Sequence, residues 1–121
     1  MKKLTIEQID NELLKLMNEQ PNFTYTDGSP TGCFYTKGPS TNPQKCNGCI
    51  FGQAFQKLGI SKDTLEELEN NYIGAAKADW LPEEIPDYWG QIQTAQDAGH
   101  AWGNLKSFLP SWKLKIKTQL T

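Results

Sequence analysis

Lys45 to Ile60 reads KCNGCIFGQAFQKLGI, and the spacing of its apolar residues decides what kind of fold the chain can adopt. Ile50, Phe51, Ala54, Phe55 and Leu58 recur at intervals of three and four, the repeat of a helix that buries one face. Gly59 suits the position just past a helix end, where a left-handed backbone costs glycine little. The spacing predicts a helix over about 47–58. Gly52 and Ala54 allow close helix contact on it, and Phe51, Phe55 and Leu58 supply its apolar face.

Outward from that stretch the pattern stays mainly helical. On the N-terminal side, GPSTNPQ has two prolines and no apolar residue, and reads as a loop. Before it, NFTYT and CFYT are aromatic and threonine-rich runs separated by the turn formers DGSPTG, which predicts a β-hairpin over Asn22–Lys37. Thr5 with Gln8 three residues on is a capping box, and Ile6, Ile9, Leu13, Leu16 and Met17 then share one face, giving a helix over about 4–19. On the C-terminal side, Ser61 can cap KDTLEELENN, whose Leu65 and Leu68, with Tyr72, make the apolar side of a short third helix. Pro82 and Pro86 interrupt the next segment. From Pro86, placed at the first helical position, Trp89, Ile92 and Ala95, then Trp102, Leu105 and Leu109, continue an apolar stripe as two helices meeting near Gly99. The last residues, SWKLKIKTQLT, alternate Trp112, Leu114 and Ile116 with lysines, the period of a half-buried strand able to pair with the hairpin. The fold class expected is a small single α+β domain of four to five helices.

Composition narrows function more than fold. The chain has 121 residues and a formal charge of -2, and its twelve basic residues are all lysine. A domain of this size buries roughly two thirds of its unfolded surface and needs no disulfides. Without arginine there is no planar fork for phosphates or guanine, which argues against nucleic acid as a partner. No window resembles a membrane span, and the acids of LTIEQIDNELLKLM are foreign to a signal peptide, so a cytoplasmic location and no membrane partner are expected.

Cys46 and Cys49 can be read in three ways. As metal ligands they would join Cys33 and the single histidine, His100, in a Cys₃His zinc site; a second close ligand pair is missing and apolar residues follow Cys49 at once, so no metal or other cofactor is expected. As a nucleophile, Cys46 at a helix start would draw on His100 as base. As packing residues, cysteines beside Phe51, Phe55 and Leu58 simply extend a buried face, and this reading requires no chemistry.

Two resemblances bear on the choice. Cys46-Asn47-Gly48, Leu58-Gly59 and Gly99-His100 resemble the catalytic segment of the NlpC/P60 cysteine peptidases, which would imply a hydrolase using Cys46 and His100; the likeness covers about fifteen residues and omits that family's β-barrel. Over about residues 22–105, Cys33-Phe34-Tyr35, Cys49-Ile50-Phe51-Gly52-Gln53-Ala54, Leu58-Gly59-Ile60, Gln96-Asp97-Ala98-Gly99 and Trp102-Gly103 are similar to small uncharacterised proteins encoded by bacteriophages. That family carries no function to transfer; the likeness, the lack of a complete catalytic constellation and a surplus of aromatic residues together lead to the expectation of a non-enzymatic protein acting inside the host cell on a host factor, with anti-defence inhibition as the class it would serve.

The partner then expected is a host protein or a small nucleotide-like ligand. Tyr25, Phe34, Tyr35, Trp80, Tyr88, Trp89, Trp102 and Trp112 are more rings than a core of this size is expected to cover. A base could stack among Tyr25, Tyr35, Trp89 and Trp102, with Lys37 on its phosphate. Pockets of that kind form readily between protomers, so a homo-oligomer is also expected.

Overall fold

A computed structural model describes residues 3–25, 34–39, 42–69 and 71–110. These residues form α1 (Ile6–Glu19), α2 (Ile50–Lys57), α3 (Lys62–Glu66) and α4 (Asp87–Asp97), with short 3-10 segments at Ile73–Ala75 and Trp102–Phe108. α1 packs on α2 and on the Trp102–Phe108 segment, and α4 packs on both 3-10 segments and on α2. The mainly helical single domain expected from the apolar spacing is therefore present.

Local chemistry explains the boundaries. The Thr5 hydroxyl accepts the Gln8 N–H at 3.0 Å and the Gln8 side chain accepts the Thr5 N–H at 2.9 Å, so α1 starts on the capping box. Its buried face, Ile9, Leu13, Leu16 and Met17, is the one the spacing picked out, joined by Leu14 and by the carboxylate of Asp10.

α2 begins three residues later than expected. Gly48 holds a left-handed φ of 135°, and the Cys49 N–H donates to the Phe34 carbonyl at 2.8 Å. The backbone of 46–49 is thus committed to the segment 34–36, and helical geometry starts only at Ile50. The two segments approach so closely that a Cβ on Gly52 would lie 2.0 Å from the Tyr35 carbonyl oxygen, and one on Gly48 would lie 2.2 Å from it. Both glycines are there because backbone crosses backbone.

The β-hairpin over 22–37 is not seen. Residues 26–33 lie outside the described residues, but neither described flank is strand. The groups a ladder would use have other partners. The Tyr35 N–H donates to Glu69 at 2.6 Å, the Tyr35 carbonyl accepts from Gln56 at 3.2 Å, and the Phe34 N–H donates to the Tyr25 hydroxyl at 2.8 Å. That hydroxyl passes its own proton to the Lys37 carbonyl at 2.9 Å. A side chain, not a strand, bridges the two flanks. The C-terminal strand expected around Trp112, Leu114 and Ile116 falls outside the described residues.

The distal helices do break near Gly99, where φ is 100°. The second is 3-10 rather than α, and its first two N–H groups donate across the molecule, Trp102 to Phe23 and Gly103 to Pro21, both at 2.9 Å. Pro86 sits one residue earlier than expected, as the N-cap of α4.

The aromatic surplus also resolves differently from expectation. Tyr25, Tyr35, Trp80, Trp89 and Trp102 are all buried. Short helices leave wide gaps between elements, and large rings fill them. Phe55 meets Trp80 edge-on at 5.0 Å, and Phe23 meets Trp102 at 4.6 Å between ring centres.

Candidate functional site

Burial of these rings changes what they can do. The Tyr35 hydroxyl donates to the Asn71 carbonyl at 2.7 Å, the Trp89 indole N–H donates to Asp10 at 2.7 Å, and Tyr25 holds the 34–37 backbone as described above. Trp102 is equally buried, with its indole N–H unpartnered. Lys37 is exposed, its ammonium 4.5 Å from the centre of the Phe34 ring. Tyr25, Tyr35, Trp89 and Trp102 therefore serve as core members in this conformation and present no stacking face to solvent.

Cys46 and His100 are not brought together. Cys46 lies in the loop before α2, half-buried, and its thiol donates to the Gly48 carbonyl at 3.2 Å. Burial pushes that thiol up from its ordinary value, opposing the thiolate a nucleophile needs. Cys49, the helix N-cap, is fully buried. His100 follows α4 and is exposed elsewhere, and neither a hydrogen bond nor a charge interaction connects it with Cys46. Cys33 lies outside the described residues; among those described, no three His, Cys, Asp or Glu side chains cluster as metal ligands would.

The polar residues buried in the core are occupied structurally. Gln96 and Gln93, one turn apart on α4, accept the Ile50 N–H and the Ile73 N–H, each at 2.7 Å. Gln96 thereby caps α2, whose own N-cap residue, Cys49, supplies no side-chain bond. Asp10 accepts from Tyr88 at 2.5 Å and from Trp89, tying α1 to the start of α4. Burial first, then the hydrogen bond to Asp10 and the carboxylate's charge, raise the Tyr88 phenol well above its ordinary value.

Among the described residues, unused groups converge beside α4. An open hollow of about 460 Å³ lies against the outer face of α4, with Tyr72 and Phe108 on it, Ala95 and Ala98 between, and Asp87, Gln91 and His100 around them. Tyr72 is 48 % exposed, the one large hydrophobic side chain left so among the described residues. It is held nonetheless. Its hydroxyl pairs with the Thr94 hydroxyl at 3.1 Å, and a Cβ on Gly74 would lie 3.1 Å from its ring and one on Gly90 2.5 Å from its hydroxyl oxygen. Asp87 has no ion pair, since Lys15–Glu12 is the only pair among the described residues. A second hollow of about 370 Å³, near α3, carries both signs of charge in Glu67, Lys77 and Asp79, and its tryptophan, Trp80, is buried.

Tyr72 and Asp87 escape a reading of the sequence because each has an ordinary explanation there, as the apolar side of a helix and as an acid in a first turn. Gly74 and Gly90 are the one signal the sequence holds: both are bare where the Tyr72 side chain lies against them. Compared with known proteins, the chain matches no family model, and no curated protein or solved structure is significantly similar to it, so the site stands on its own geometry.

Proposed function

We propose that this is a non-enzymatic binding protein whose recognition surface is the hollow on α4, and that its partner is a protein. The observation that carries this reading is Tyr72, an exposed aromatic side chain fixed in place by Thr94, Gly74 and Gly90. An exposed ring that is already ordered loses little entropy on binding, which is why tyrosine anchors so many interfaces. The fully buried α4 residues beneath it, Trp89, Ile92 and Gln93, make a rigid support.

Shape and charge favour a protein over the nucleotide messenger also expected. The hollow is shallow, and among the described residues that line it Asp87 is the one carboxylate and none is a lysine. A phosphate would meet a carboxylate there without compensation. The half-buried Cys46, whose thiol burial pushes up, and its separation from His100 give the hydrolase reading less support. The likeness to phage-encoded proteins suggests a host factor as the target and anti-defence inhibition as the outcome. The core position of the rings that suggested an assembly leaves the homo-oligomer without that motive.

The test is capture of binding proteins from a host lysate by the full chain and by Tyr72→Ala, with thermal melts confirming that both are folded. A saturable protein partner retained by the wild type and lost by Tyr72→Ala supports the reading. A partner held equally by both, or retention of a cyclic nucleotide in place of any protein, overturns it.

A further inference from the structure

The hollow has a chemical preference beyond its shape. Asp87 and Tyr72 line the same cavity. The carboxylate is exposed and forms no ion pair among the described residues, while the ring is exposed and locked. Gln91, exposed beside them on α4, makes no side-chain hydrogen bond among the described residues and adds an amide acceptor.

A carboxylate beside an aromatic face is a cation site, because the ring's quadrupole attracts positive charge and the carboxylate neutralises it. Among biological cations, guanidinium fits this pair best. It is flat enough to lie over a phenol ring, it is less strongly hydrated than ammonium, and its fork can bond both carboxylate oxygens at once. Ala95 and Ala98 leave an apolar floor for the methylene stem of the same side chain. The chain itself contains no arginine, so the occupant has to come from another molecule.

We infer that the α4 hollow binds an arginine side chain of the partner protein, its guanidinium stacked on Tyr72 and bonded to Asp87. This rests on the reading of the hollow as a protein-binding surface, and it names the residue that surface selects.

The experiment is a titration of the ¹⁵N-labelled full chain with three small probes, followed by amide shifts. The probes are N-acetyl-arginine methylamide, the neutral near-isostere N-acetyl-citrulline methylamide, and N-acetyl-norleucine methylamide. The expected result is saturable shifts at Gln91, Thr94, Ala95 and Ala98 with the arginine probe, and binding of the citrulline probe weaker by about tenfold or more. Asp87→Asn should bring the arginine probe down to the citrulline level, and Tyr72→Leu should weaken it several-fold while keeping the apolar bulk. Raising salt should weaken the arginine probe alone. Equal binding of arginine and citrulline, or a response to norleucine only, overturns the guanidinium assignment and leaves the hollow as an apolar docking site. If no probe moves the α4 amides, the hollow itself is refuted as a recognition surface.

Discussion

Replacing Gly52 with alanine tests the central claim about how α2 meets its neighbour. Helix propensity alone favours the change: alanine inside a helix is better than glycine by about 1 kcal/mol. The structure argues the reverse. The new methyl would lie 2.0 Å from the Tyr35 carbonyl oxygen, 2.6 Å from its carbon and 2.7 Å from the Tyr35 Cα. These are backbone atoms, so the segment must retreat by about 1 Å before the contact becomes tolerable. That movement stretches the Cys49 N–H bond to Phe34 and the Gln56 bond to the Tyr35 carbonyl. Overpacking costs about 1–3 kcal/mol and losing the two hydrogen bonds about 1 kcal/mol each. After the propensity gain, a net loss of about 2–4 kcal/mol remains. For a domain this small, that lowers the urea midpoint by on the order of 1–2 M, with an unchanged slope. Urea unfolding followed by tryptophan fluorescence reads it directly. A midpoint at or above wild type would refute the backbone crossing and, with it, the account of why α2 starts at Ile50.

Two further outcomes follow from the buried polar residues. Gln96→Met keeps the length of the side chain but removes the acceptor for the Ile50 N–H; it should cost about 1–2 kcal/mol and speed amide exchange at Ile50 selectively, and uniform exchange would argue against the cap. Tyr88 holds its proton more tightly folded than unfolded, so its contribution is intact below the unfolded value near pH 10 and is lost as pH rises beyond it. Melting temperatures should fall above about pH 10 more steeply in the wild type than in Tyr88→Phe, and superimposable curves would remove Asp10 and Tyr88 as the linked pair.

Periodicity was a sound guide where a residue's partners are local. The capping box of Thr5 and Gln8, the apolar face of α1 and the left-handed Gly59 after α2 depend on neighbours three or four positions away, and the structure has all of them. The hairpin failed because alternation in NFTYT and CFYT reports which rings turn inward, and both Tyr25 and Tyr35 do. It does not report what the backbone between them bonds to. Here those bonds go to Glu69, Gln56 and a phenol, none of which any local rule connects with residues 34–37. The candidate ligand residues met the same obstacle. Tyr25, Tyr35, Trp89 and Trp102 read locally as rings in excess of a core, but the shortness of the helices enlarges the space that rings must fill. Tyr72, by contrast, looked like one more apolar helix position, and its exposure arises from a chain turn at Ile73–Ala75 that no periodicity marks.

The glutamine caps carry a consequence for the order in which this protein can assemble. α2 is eight residues long, well below the length at which a helix persists alone in water, and the acceptor for its Ile50 N–H sits 46 residues downstream. The Ile73–Ala75 turn waits on the same helix, through Gln93, and α1 is tied to the start of α4 across 78 and 79 residues through Asp10. Little of the centre can form ahead of α4, so nucleation has to recruit chain ends that are far apart. Despite its helical content the protein should therefore fold at the pace of a domain with non-local topology, slower than a simple bundle. The helix that closes this assembly is the one whose outer face carries the hollow, so the recognition surface becomes complete only when the rest of the molecule does.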